Sequence, residues 1–240
     1  RSDVEFSTLA SDQTPVDVYI GDSHTQGTGH HFHNTYPAIL SSHTGNVCMN
    51  LGQHGTGVQN SLITLLKVLN THNIQNVFHF QPIYGRWGFK EDGQWKTLSI
   101  WSMHNVLQEG TLSQQYVIDN RIDLGAIALY HYKTVHAINS ICAERNIPYY
   151  HTCGENLSKR FDININNTYN LSKRSRMANT PLPGLDMYDA KLSDMSWQAF
   201  ILSAEFEKPF PESDVAARDL MHFPLSFMKL IAEDFADRRN

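Results

Sequence analysis

Two stretches near opposite ends of the chain hold residue types that together could transfer an acyl group. In Gly21-Asp22-Ser23-His24-Thr25-Gln26-Gly27 a serine leaves a polar turn directly after an apolar run. In Asp219-Leu220-Met221-His222 a carboxylate and an imidazole stand three positions apart. On a turn, that spacing can set the carboxylate against the imidazole Nδ1, which fixes the tautomer and leaves Nε2 as a base. A serine hydroxyl within reach of such a base is an activated nucleophile. Its hydroxyl must then be accessible at the rim of the fold, on the side where the His222 ring stands. Each stretch also has a plainer reading. Ser23 could merely cap its turn, and an isolated Asp-x-x-His is most often a surface turn.

The elements that must position these residues follow from periodicity. Val16, Val18 and Ile20 alternate as a strand over about 16–20 would, and Gly21 permits a sharp turn after it. Asp22 and Thr25 can bond nearby backbone amides and hold that turn. Thr35-Tyr36-Pro37 opens a short helix, with Thr35 as cap, and Gly45 ends it. Tyr36, Ile39, Leu40 and His43 share one of its faces. Val47–Asn50 reads as a second strand, followed by the glycine-rich turn Leu51–Gly57. A helix over about 58–71 carries Leu62, Leu65, Leu66 and Leu69 at amphipathic spacing. Val77–Phe80 is a third strand. Residues 82–110, with Trp87, Trp95 and Trp101, read as a long aromatic loop, with room for a hairpin, that either lines a pocket or covers the sheet edge.

From about 112 to 145 the pattern is helical, with Leu124, Ile127, Ala128, His131, Val135, Ile138 and Cys142 in one stripe. Asn146-Ile147-Pro148 ends it, and Tyr149–His151 starts a fourth strand. Residues 154–210 are poor in regular pattern and read as an insertion. A last helix over about 224–237 turns Phe227, Leu230, Ile231 and Phe235 inward. Alternating strands and helices imply an α/β fold: three α/β/α layers around a mostly parallel, flavodoxin-like sheet. We read one domain over residues 1–240, with irregular insertions at about 82–110 and 154–210.

The Gly21–Gly27 stretch is complete at every fixed position of Gly-Asp-Ser-x-Thr-x-Gly, and Asp219-x-x-His222 stands just before the last helix. In both respects the chain resembles the SGNH/GDSL hydrolases, from about residue 16 to 237. The resemblance implies a serine esterase: Ser23 as nucleophile, His222 as base and then acid, Asp219 orienting His222, and no metal or cofactor. It implies an oxyanion hole from the Ser23 and Gly52 backbone N–H groups. It also implies an Asn at the end of the third strand, and here the chain departs from the family. Phe80-Gln81-Pro82-Ile83-Tyr84-Gly85-Arg86 holds no Asn. Gln81, Tyr84 or Arg86 could donate instead, and the Gln81 amide is chemically closest. Losing one such donor typically costs ~10²–10³ in rate. His24, Tyr84, Arg86 and Trp87 are the candidate substrate contacts. The implied substrates are small-molecule or carbohydrate esters, with a short acyl group such as acetyl favoured, because no long continuous apolar lid is evident. Two alternatives stay open: an acyltransferase of the same fold, and a catalytically decayed module that grips a sugar or a partner.

Composition excludes other classes. The net charge of −5 implies no basic face and no nucleic-acid partner. No apolar run reaches the length of a membrane span. Gly52, Gly55 and Gly57 do not form Gly-x-Gly-x-x-Gly, and no Walker lysine follows. His30, His31 and His33 suggest a metal cluster, but no carboxylate or Cys stands beside them, so they read as a solvated loop tip. His54, His79, His131 and His136 read as packed or partly exposed, and Arg218 either pairs with Asp219 or faces solvent. Cys48, Cys142 and Cys153 are too few, and odd in number, for a disulfide framework. That favours a reducing, cytoplasmic compartment, although a chain starting at Arg1 is also compatible with a trimmed signal peptide.

Overall fold

β1 (Pro15–Gly21) is buried along nearly its whole length and carries a different layer on each face. Side chains alternate across a strand, so Val16, Val18 and Ile20 point one way and Asp17 and Tyr19 the other. The computed structural model describes residues 14–82, 86–91, 94–99, 124–153 and 225–239. After β1 come α1 (Ser23–Gln26), a 3₁₀ turn (Phe32–Asn34), α2 (Tyr36–Thr44), β2 (Val47–Asn50), α3 (Val58–Val68) and β3 (Asn73–Phe80). Then follow β4 (Arg86–Glu91), β5 (Gln94–Ser99), α4 (Leu124–Glu144), β6 (Tyr149–Thr152) and α5 (Leu225–Arg239).

Four strands form one sheet in the order β2-β1-β3-β6. Every neighbouring pair in it is parallel. β4 and β5 form a separate antiparallel hairpin. Val16, Val18 and Ile20 join Ile74, Val77, Leu65, Val68, Ile138 and Cys142 in one core, beneath α3 and α4. Tyr19 and Phe78 join Tyr36, Leu40, Phe227, Ile231 and Phe235 in the other, beneath α2 and α5. The fold is therefore three layers, α/β/α, around a parallel sheet, as the alternation of elements predicts.

The second core is organised by aromatic rings. Tyr19, Phe78 and Tyr150 are register partners on three adjacent strands. Their rings stack, with centroids 5.1 Å apart for Tyr19 and Phe78 and 5.3 Å for Phe78 and Tyr150. Phe235 of α5 meets Phe78 edge-on at 5.4 Å and also packs on Tyr36 of α2. The last helix is thereby fixed to the layer that lies next to the Ser23 turn.

Several local expectations need correction. His43 is exposed on α2, where the inward face is Tyr36, Pro37 and Leu40. Leu66 is 48% exposed, because the face of α3 turned inward carries Val58, Ser61, Thr64, Leu65 and Val68 instead. Leu230 of α5 is only partly buried. The insertion at about 154–210 and the start of the helix at about 112 lie outside the described residues, and within them the remaining elements stand close to expectation. Thr35 caps α2, accepting the Ala38 N–H, and Gly45 closes it in the left-handed region. The aromatic region after β3 does contain a hairpin. Cys48 and Cys142 are buried thiols outside any disulfide, and burial pushes the Cys142 thiol up to about 11. No described helix is long and apolar enough to cross a membrane.

Candidate active site

The turn after β1 is built by its own small and polar residues. Gly21 has φ 150°, a conformation that L side chains rarely adopt. A Cβ there would collide with the Thr25 side chain and the Phe80 carbonyl. Asp22 caps the single turn of α1, its Oδ1 accepting the His24 N–H at 3.0 Å. The Ser23 carbonyl accepts the Gly27 and Thr28 N–H groups, each at 3.0 Å. Thr25 bonds nearby backbone as expected, its hydroxyl donating to the Ile20 carbonyl at 3.4 Å. Its hydroxyl shares a 3.0 Å hydrogen bond with the Tyr36 hydroxyl. Burial holds that phenol well above its ordinary range, so it stays neutral.

Ser23 thus follows the carboxyl end of β1. The strand order reverses there: β2 lies on one side of β1 and β3 on the other. Open parallel sheets bind ligands at such a switch point. One expectation fails. Ser23 is 1% exposed, where an accessible hydroxyl was required. The turn is pressed between the Gly52 loop and the layer of α2, so the serine lies beneath the surface rather than on an open rim. His24 is also buried and meets Phe80 edge-on, as a wall would.

The loop after β2 is joined to this turn. Asn50 Nδ2 donates to the Thr25 carbonyl at 2.7 Å, and Asn50 Oδ1 accepts the Gly52 N–H at 3.0 Å. A Cβ on Gly52 would meet the Gln26 nitrogen, and would lie 2.7 Å from the Thr25 carbonyl carbon. Gly52 is therefore needed for close backbone packing, and its N–H is already engaged. Gly55, with φ 72°, has no neighbour within 4 Å of a would-be Cβ. Neither the Gly55 nor the Ser23 N–H has a hydrogen-bond partner among the described residues. Sequence reading gave Asn50 no role. An Asn ending a strand beside a glycine turn was the available signal.

Arg86 also changes role. Its Nη1 lies 2.6 Å from Asp22 Oδ2 and donates to the Thr56 carbonyl at 3.3 Å. The Asp22 side chain is 1% exposed, and a carboxylate buried so far needs a countercharge. Arg86 supplies it. Tyr84, Arg218, Asp219 and His222 lie outside the described residues, and Trp87 is described only as backbone of β4.

Gln81 makes its side-chain bonds on the other face of the sheet. Its Nε2 donates to His151 Nδ1 at 2.7 Å, and its Oε1 accepts from His131 Nε2 at 3.1 Å. His79, fully buried beside them, bonds the Tyr149 hydroxyl at 2.8 Å. His79 and His131 are packed, as the sequence suggests, and the Gln81 amide joins His131 to His151. Burial lowers the pKa of His79, and the neighbouring His131 and His151 lower it further. Burial alone brings His131 down to about 3 from 6.5. A base whose folded pKa is depressed binds its proton first in the unfolded state, so stability is whole above pH 6.5 and falls as pH drops toward the folded value. Each such histidine costs about 1.4 kcal/mol per pH unit in that window. The melting temperature should therefore fall steadily from pH 7 to pH 5, and less steeply in His131→Leu. A flat profile would mean that these imidazoles are not buried and neutral. His31 and His33 are exposed with stacked rings, and His30 is buried. Among the described residues no His, Cys, Asp and Glu group could hold a metal ion.

No family model and no curated protein matches the chain. Two solved structures are similar to it. One is a member of the lipolytic protein G-D-S-L family from Veillonella parvula DSM 2008. It is 13% identical, with 93% of this chain and 97% of that one covered and a TM-score of 0.42. The other, assigned to the lipolytic G-D-S-L family, is from Desulfitobacterium hafniense DCB-2. It is 18% identical, with 57% of this chain and 77% of that one covered and a TM-score of 0.28.

Proposed function

We propose that the protein is a serine hydrolase of carboxylic esters. The observation that carries this reading is the place of Ser23: on a capped, tightly bonded turn at the carboxyl end of β1, where the strand order reverses. Ser23 Oγ attacks the ester carbonyl while His222 takes its proton. His222 then gives that proton to the departing alcohol, leaving an acyl-enzyme. Water, deprotonated by His222, releases the acid and restores the serine. Asp219 orients His222. The developing oxyanion needs donors fixed beforehand. The Ser23 N–H, unengaged among the described residues, fits that role, and Gly52 can serve only by leaving Asn50. Gln81, joined to His131 and His151, is poorly suited to donate.

The placement of α5 supports the role of the C-terminal pair. This helix begins three residues after His222 and packs through Phe235 on Tyr36, whose hydroxyl meets Thr25 of the nucleophile turn. The substrate class we favour is a short acyl ester, such as acetyl on a sugar. Burial of Ser23 favours a second reading, in which the turn is purely structural and the domain binds without catalysis. Turnover of p-nitrophenyl acetate separates the two. The hydrolase reading expects cleavage by the wild type and none above background by Ser23→Ala. Equal rates for both would end it. Product analysis with a sugar acceptor present and absent then distinguishes hydrolase from acyltransferase.

A further inference from the structure

We propose that Arg86 is a positioning residue that locks the Ser23 turn to the Gly52–Thr56 turn. The proposal rests on the ester-cleavage reading of Ser23. Both oxygens of Asp22 are committed, Oδ1 to the His24 N–H and Oδ2 to Arg86 Nη1. The same Nη1 reaches the Thr56 carbonyl, so one guanidinium nitrogen spans two loops that leave different strands. Its backbone is seated as well. A Cβ on Gly57 would lie 2.7 Å from the Arg86 carbonyl oxygen, so the first residue of β4 presses directly on the glycine turn. Asp22 in turn caps α1, whose first residue is Ser23. Arg86 therefore sets the spacing between the nucleophile and the N–H groups of the second loop. It reaches the chemistry through Asp22 and Thr56, not by gripping substrate.

A substrate contact and a positioning residue leave different kinetic marks. Losing a contact made equally in ground and transition states raises KM, whereas losing alignment lowers kcat. Misplacing reacting groups by an ångström costs about 10² in rate. We expect Arg86→Gln to lower kcat for p-nitrophenyl acetate about 10- to 100-fold with KM unchanged, and to slow fluorophosphonate labelling equally. Arg86→Lys, which keeps the charge on Asp22 but lacks the planar fork, should recover part of the loss. Adding Asp22→Asn to Arg86→Gln should cost no more than the larger single change. A raised KM at constant kcat, full additivity with Asp22→Asn, or labelling at the wild-type rate would each overturn the proposal.

Amide hydrogen exchange tests it without catalysis. In Arg86→Gln, peptides covering 22–28 and 52–57 should exchange faster while β1 and β3 stay protected. Unchanged exchange in both turns overturns the proposal. A wild type that neither cleaves nor labels refutes only the ester reading.

Discussion

His222→Ala is expected to lower ester cleavage by ~10⁴- to 10⁶-fold, with the fold intact. In a serine–histidine pair the two residues act as one unit, so removing either loses nearly the whole acceleration. The remaining rate, from oxyanion donors and binding alone, should still exceed that of water. Asp219→Asn should cost about 10⁴, because an amide leaves the ring in place but selects the wrong tautomer. The two losses should not add. Measured with p-nitrophenyl acetate, an effect below about tenfold for His222→Ala would show that the base lies elsewhere, since general-base catalysis alone contributes at least ~10².

Gly52→Ala should have the next largest effect, on stability and rate together. The new methyl group would drive into the Thr25–Gln26 peptide, which is backbone and cannot turn aside. Overpacking of this kind costs typically ~1–3 kcal/mol. Relief can come only by moving the β2 loop off the nucleophile turn. That would strain the Asn50 bonds to Thr25 and Gly52. Gly55→Ala is the contrast. Its Cβ would enter open space, so it bears only the left-handed backbone cost of roughly 1–2 kcal/mol. Thermal unfolding of the two variants should rank Gly52→Ala as less stable. The reverse order would mean that the two loops are not packed as described.

The fold was legible because its signals are local. Val16, Val18 and Ile20 alternate, Thr35 and Gly45 punctuate α2, and Asn146-Ile147-Pro148 stops α4. None of these needs knowledge of a distant residue. Leu66 misled for the opposite reason. Its spacing fits an amphipathic helix, but which flank of α3 is buried depends on α4, which packs beside it. The same distinction divides the site. Ser23 could be found from the strand that stops at Gly21, because strand and turn are contiguous. Arg86 could not be assigned its partner, because Asp22 stands far away in sequence and only folding brings the hairpin to it. Gln81 was chosen on amide chemistry, and the tertiary structure gives that amide to His131 and His151 instead. The family resemblance makes Gly52 a donor. It is small so that two backbones can touch.

The most direct measurement is the site of covalent capture. The 240-residue chain would be treated with a short-chain fluorophosphonate, digested and mapped by mass spectrometry. The account predicts one adduct, on the peptide that carries Ser23, absent from Ser23→Ala and greatly slowed in His222→Ala. An adduct on another residue, or none after prolonged exposure, would contradict it.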